Sequence, residues 1–178
     1  SEGMHPFTKH FMAAAKELNW PKPINTPTAP EGLGYVHNTT KNGKRFSSAD
    51  AFLHPIKKRK NLQILKNATV EKIIIENLQA KGVIYEVKNT KKYSYANREI
   101  ILSAGAIGSP QILQLSGVGP KEILKKSGIE LLHHCPEVGQ GLQDHLAITK
   151  YFSTNERTLN TDIGNIFGKI KAGIKYIL

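Results

Sequence analysis

Cysteine occurs once in the 178 residues, at Cys135. That count excludes an internal disulfide and any cysteine-rich zinc site. Acidic side chains are scarce beside basic ones, 14 against 25, which leaves a net charge of +11. No apolar run approaches the ~18 residues that a membrane-crossing helix needs, so no membrane span is expected. The sequence opens Ser1-Glu2-Gly3, with no initiator methionine and no basic-then-apolar leader, so it reads as a piece of a longer chain.

What is present suits a folded domain. Hydrophobic residues make up 39% and charged residues 22%, enough apolar material for a packed core. The basic excess raises the question of an acidic partner. The basic residues are scattered, however, and the one dense run is Lys57-Lys58-Arg59-Lys60 after Pro55. No stacking aromatics interleave with it, so it reads as a solvated loop and no nucleic-acid partner is expected. The rival reading is a non-catalytic basic module that binds nucleic acid or a polyanion. His133-His134 invites a metal, but neighbours on a strand point to opposite faces and chelate poorly, so no metal site is expected. Asn38-Thr39-Thr40 and Asn67-Ala68-Thr69 fit the N-glycosylation acceptor pattern, a faint pointer to secretion.

Periodicity sets out the elements. Phe7, Phe11, Ala14 and Leu18 predict an amphipathic helix from about Pro6 to Leu18. The four prolines between Asn19 and Pro30 predict an extended loop. Ser47 or Ser48 can cap a short helix that Pro55 ends. Leu62–Leu65, Ala68–Glu76, Lys81–Lys88, Lys92–Ala96 and Glu99–Leu102 read as strands. The β-branched run within Ala68–Glu76 looks like a strand buried on both faces. A helix around Ser109–Leu115 ends at Ser116-Gly117, and Pro120 opens a second one through Lys126 that Ser127-Gly128 stops. Leu131-Leu132 and Leu146–Ser153 read as further strands, with a last amphipathic helix from Ile163 to Ile177.

Gly105–Pro120, GAIGSPQILQLSGVGP, crowds small residues around one apolar turn. After a buried strand, such a turn lets backbone N–H groups approach a ligand, and a helix start offers unpaired donors to an anion. The same pattern also serves as plain strand–turn–helix punctuation, and spacing alone leaves both readings open.

The wording of the stretch adds weight to the first reading. Gly105-Ala106, Ser109-Pro110, Ile112-Leu113 and Ser116-Gly117-Val118-Gly119 fall at the spacings of the second signature of the glucose–methanol–choline oxidoreductases, a family of FAD-dependent enzymes that this chain resembles. REIILSAG (98–105), PEVGQGLQDH (136–145), GKRFSSADAFLHP (43–55) and NLQILKNATVEKI (61–73) resemble it too. The likeness runs from about Phe7 to Ser153, and its wording is most similar to the insect glucose dehydrogenase-like branch. It implies an α/β fold: residues 1–146 form the central part of an FAD/NAD(P)-binding, GR2-type Rossmann-like domain, and residues 147–178 begin an α+β substrate-binding domain.

The resemblance also implies roles. Val70 falls where relatives contact the adenine of FAD through backbone groups. Ser103, Ala104 and Gly105 match the turn that approaches the cofactor. Asp144-His145 falls in a wall near the flavin and is not a catalytic pair, because adjacent side chains diverge. His5, His10, His37 and His54 have no partner legible in the sequence. The family's GxGxxG turn and its catalytic histidine region have no counterpart in this sequence, so no catalytic residue is expected here. Gln140-Gly141 departs from the acidic or polar residue and asparagine usual in relatives, and glycine offers no side-chain hydrogen bond there. For the full-length parent the likeness implies hydride transfer from a small alcohol or sugar to FAD. It also implies a quinone or oxygen as electron acceptor and an extracellular location.

Overall fold

The computed structural model describes residues 4–21, 31–35 and 38–177. His37 and most of the proline-rich loop lie outside them. The chain falls into two compact units, Lys60–Ile148 and a second one made of Ser1–Arg59 with Thr149–Leu178.

The Lys60–Ile148 unit is built on a three-stranded antiparallel meander: β3 (Ala68–Glu76), β4 (Gln79–Val87) and β5 (Thr90–Tyr95), in that order. Two-residue loops join the strands, and all four loop residues, Asn77, Leu78, Lys88 and Asn89, have positive φ. That is the mirror-image turn whose twist matches paired strands. Asparagine tolerates it well, while Leu78 at φ +60° does not. Glu71 is an extra residue between the Val70–Tyr85 and Lys72–Ile84 pairs, a bulge in β3. Its carboxylate receives Lys91 Nζ at 2.7 Å, and this bond, together with the opposite charge, holds the Lys91 ammonium above its ordinary pKa. Gly82 lies under the ladder: a Cβ there would collide with Ser94 O.

Helix α2 (Gly105–Leu115) packs on β3. Ile112 and Ile73 are the buried pair at this junction, and one side chain fastens it. Ser116 Oγ accepts the Ile73 N–H at 2.8 Å and donates to Ile112 O at 2.6 Å, both in buried surroundings. The chain then turns through Gly117 at φ +83°, where a Cβ would lie 2.7 Å from Glu130 O. A small parallel unit follows: β6 (Val118–Gly119), α3 (Lys121–Lys126) and β7 (His133–His134). Its centre is Leu124, with 0% exposure.

In the other unit, α1 (Thr8–Glu17) is followed by a minimal hairpin, β1 (Thr40–Lys41) and β2 (Lys44–Arg45), turned on Asn42-Gly43. Ser47 and Asp50 cap each other: Ser47 N and Oγ donate to Asp50 Oδ2 at 2.9 and 2.6 Å, and Asp50 N donates to Ser47 Oγ at 3.2 Å. The Ser47 hydroxyl, then its N–H, hold the Asp50 carboxyl below its ordinary pKa. A π-helical turn (Ala49–Leu53) and a 3-10 turn (His54–Ile56) follow, so Pro55 sits inside the second turn rather than ending a helix. His5 Nε2 meets Asp162 at 3.2 Å and His10 Nε2 meets Glu156 at 3.0 Å, which ties the α1 segment to the residues around α4 (Leu159–Ile163). The His5 bond, then Arg157, lower the Asp162 pKa.

Several expected elements differ. Residues 62–66, 99–103 and 141–154 form no strand. A strand needs a neighbour as well as a pattern, and nothing among the described residues pairs with these segments; Ile101 is 79% exposed. Of β3 only Ile73 is buried, because among the described residues α2 is the element that covers a face of the strand. The short strand expected at Leu131-Leu132 lies at His133-His134. The single last helix is two, α4 and α5 (Ile166–Ile177).

Leu78→Gly is expected to raise stability by about 1 kcal/mol, since glycine adopts positive φ without the Cβ clash; a urea titration reads this as a higher midpoint at unchanged slope. Ser116→Ala is expected to lower stability by about 1–3 kcal/mol, because it strands the Ile73 N–H in a buried place. The same titration decides it: a loss below about half a kcal/mol would show that the bridge is dispensable.

Candidate functional site

The turn into α2 is made of backbone. Ser103, Ala104 and Gly105 are all exposed, and Gly105 enters the helix at φ +85°, where a Cβ would meet nothing within 4 Å. The residue is therefore glycine for conformation rather than for lack of room. The expected helix start at Ser109 is too late. The helix begins at Gly105 and carries Pro110 inside it, which removes the donor for the Ala106 carbonyl. Ser109 Oγ instead takes the Ala104 N–H at 3.0 Å. No side chain at Ala104 caps the helix. With the Ala104 N–H taken by Ser109, the donors left for an anion are those of the first helical turn, at the positive end of an eleven-residue helix.

Val70 lies on β3 opposite Tyr85 and is 37% exposed. It sits three residues before Ile73, about 10 Å along the strand from the Ser116 bridge. Gly105 is about 16 Å from that bridge along α2. Both candidate regions belong to the elements that meet at this junction, β3 and α2, and no hydrogen bond among the described residues links them directly.

Sequence reasoning passed over Gln114 and the bridging role of Ser116. Gln114 Nε2 donates to Val138 O at 3.0 Å, and its amide lies where a Cβ on Gly139 would be, 2.8 Å away, with Gly139 at φ +82°. The side chain therefore moors the Val138–Gly141 loop to α2. A polar residue on the apolar face of α2 was the available signal. Beyond the mooring, Asp144 and His145 are fully exposed, with Asp144 Oδ1 and His145 Nδ1 3.9 Å apart. His134 Nδ1 receives the Lys121 N–H at 3.2 Å, a cap for α3. His54 pairs with Asp50 at 3.0 Å. Among the described residues no three His, Cys, Asp or Glu side chains gather as a metal site. Lys57–Lys60 are all exposed.

The sequence pattern of the GMC oxidoreductases matches residues 2–147. The chain belongs to that family. It is 40% identical over 177 residues to the oxygen-dependent choline dehydrogenase of Vibrio vulnificus, covering 98% of this chain and 31% of that protein. With an alcohol dehydrogenase [acceptor] of Pseudomonas putida it shares 41% over 175 residues, 96% of this chain and 31% of that one. In three dimensions it resembles an FAD-dependent oxidoreductase from Chaetomium thermophilum, at TM-score 0.67 and 32% identity over 74% of this chain and 24% of that one. The chain thus spans about a third of the length of the curated relatives it matches. Its fold class is accordingly α/β, with helix and sheet mixed as in the structures of the family.

Gly105→Ala is expected to lower stability by about 1–2 kcal/mol despite the open space beside it, because an L-residue at φ +85° is strained. An unchanged denaturation midpoint would mean that the turn can be remade without the left-handed conformation.

Proposed function

We propose that this chain is part of an FAD-dependent oxidoreductase acting on the CH–OH group of a small alcohol. The observation that carries the reading is the open turn at Ser103–Gly105 in a chain of the GMC family. When bound, FAD supplies the hydride acceptor that alcohol oxidation requires. The chain's own residues do the holding. Ser103, Ala104 and Gly105 let backbone come close without a side chain between. The start of α2 offers donors to a negative group such as a diphosphate. Val70 offers the backbone of β3 to the adenine end. The loop moored by Gln114 forms a wall. The proton of the alcohol needs a positioned base, and none of the described residues is assigned that part.

Residues 1–146 are read as the central part of the FAD-binding domain and 147–178 as the lead into the substrate-binding domain. That division rests on the order of the family's motifs, a criterion separate from the compactness that groups 149–178 with 1–59. The names of the matched relatives favour alcohols, choline among them. A sugar donor, nearness to the insect glucose dehydrogenase branch, and a quinone or oxygen as acceptor rest on sequence wording and family habit.

The full-length protein is expected to purify yellow, with bound-flavin absorption bands, and to reduce a dye when given an alcohol. The 178-residue chain alone is expected to turn over no alcohol. Gly105→Val in the full-length protein should lower the flavin-to-protein ratio by adding strain and bulk at the approach. A full-length protein that folds, contains no flavin and gains none on incubation with FAD would refute the reading.

A further inference from the structure

We propose that Asn38 and Asn67 are acceptor sites for N-linked glycans, which places synthesis of the protein in a secretory pathway. The chain holds two Asn-Xaa-Thr triplets with no proline in the middle, Asn38-Thr39-Thr40 and Asn67-Ala68-Thr69. Their place in the fold takes them beyond a pattern match.

A glycan attached during synthesis must not block folding afterwards, so its asparagine and the neighbouring hydroxyl have to end outside the core. Asn38, Thr39, Thr40, Asn67 and Thr69 are all exposed. Asn67 stands at a bend with φ +53°, immediately before β3. β3 is an edge strand with β4 on one side only, so bulk at its entry meets solvent among the described residues. Thr69 and Val70 alternate across the strand, so the triplet's hydroxyl and the Val70 side chain lie on opposite faces. Asn38 precedes β1, at the foot of the exposed Asn42-Gly43 hairpin.

The other turn asparagines provide a contrast. Asn19, Asn42, Asn77 and Asn89 also have positive φ, yet each is followed at the second position by a residue other than serine or threonine. Among the described residues, the coincidence of exposed turn, edge position and acceptor triplet is specific to Asn67.

The reaction balances with one co-reactant, a lipid-linked oligosaccharide pyrophosphate. The asparagine amide nitrogen forms a bond to the anomeric carbon of the sugar. The anomeric carbon–oxygen bond to the pyrophosphate breaks, the lipid pyrophosphate leaves, and one amide proton is lost. No oxidant or reductant takes part. The inference is independent of the flavin reading.

The full-length protein, expressed from its natural coding sequence in cultured animal cells, is treated with a peptide N-glycosidase in heavy-oxygen water. Peptides containing positions 38 and 67 are expected to return as aspartate bearing the heavy-oxygen mass shift. Asn38→Gln and Asn67→Gln should each remove one glycan-sized step in gel mobility. Thr69→Ala, which keeps Asn67, should remove the same step as Asn67→Gln. Flavin absorbance is read on the same samples, so failure of one proposal is distinguishable from failure of the other. Recovery of either peptide wholly as unmodified asparagine overturns that site, and recovery of both overturns the proposal.

Discussion

The Ser116 hydroxyl holds the sheet and the helix of the central unit in one relation. Accepting from Ile73 and donating to Ile112, it satisfies the strand's backbone and the helix's last turn at once. The position needs a short side chain with both a donor and an acceptor, and the glycine after it needs the absence of one. α2 is thereby pinned to β3 at its C-terminal end, and its open start at Gly105 is the end away from that bridge. Through Gln114 the same helix also fixes the Val138–Gly141 loop. Two polar side chains thereby position three backbone segments, and the candidate site is assembled from backbone rather than from reactive side chains.

That construction explains why the shifted acids and bases lie elsewhere. Asp50, Lys91 and Asp162 owe their shifts to nearby hydrogen-bond partners, Ser47, Glu71 and His5. All three belong to caps and cross-links at exposed or half-buried positions, which contribute little individually to stability. A shell that holds a cofactor with N–H groups has no need of a tuned side chain. Its requirements are conformational: positive φ at Gly105 and room beside it.

Much of this was legible in the sequence where the signal is local. The glycine stops after α2 and α3, the start of α3 at Pro120, the meander strands and the exposed Lys57–Lys60 run come directly from residue types and spacing. The Asn42-Gly43 hairpin carries the strongest short-range turn signal there is, set in a polar stretch with no apolar alternation on either side. Glu99–Leu102 shows the limit. Its pattern is that of a strand, yet a strand exists only by pairing, and pairing is a property of distant chain. The start of α2 was misplaced because Pro110 reads as a first-turn proline, and only the geometry shows a full turn ahead of it. The FAD-contact roles of Val70 and Ser103–Gly105 came from family likeness; exposure and φ show that these residues have the freedom such roles require.

The meander's two-residue loops carry a consequence for how the chain reaches its final form. Each strand of β3–β4–β5 meets its partner across the shortest connection a hairpin permits, so little chain entropy opposes closure, and hairpins of this kind form in about 1–10 μs. The Ser116 bridge joins residues 43 positions apart and closes a far larger loop. The sheet is therefore suited to act as the template during synthesis, emerging first and waiting for α2 to arrive.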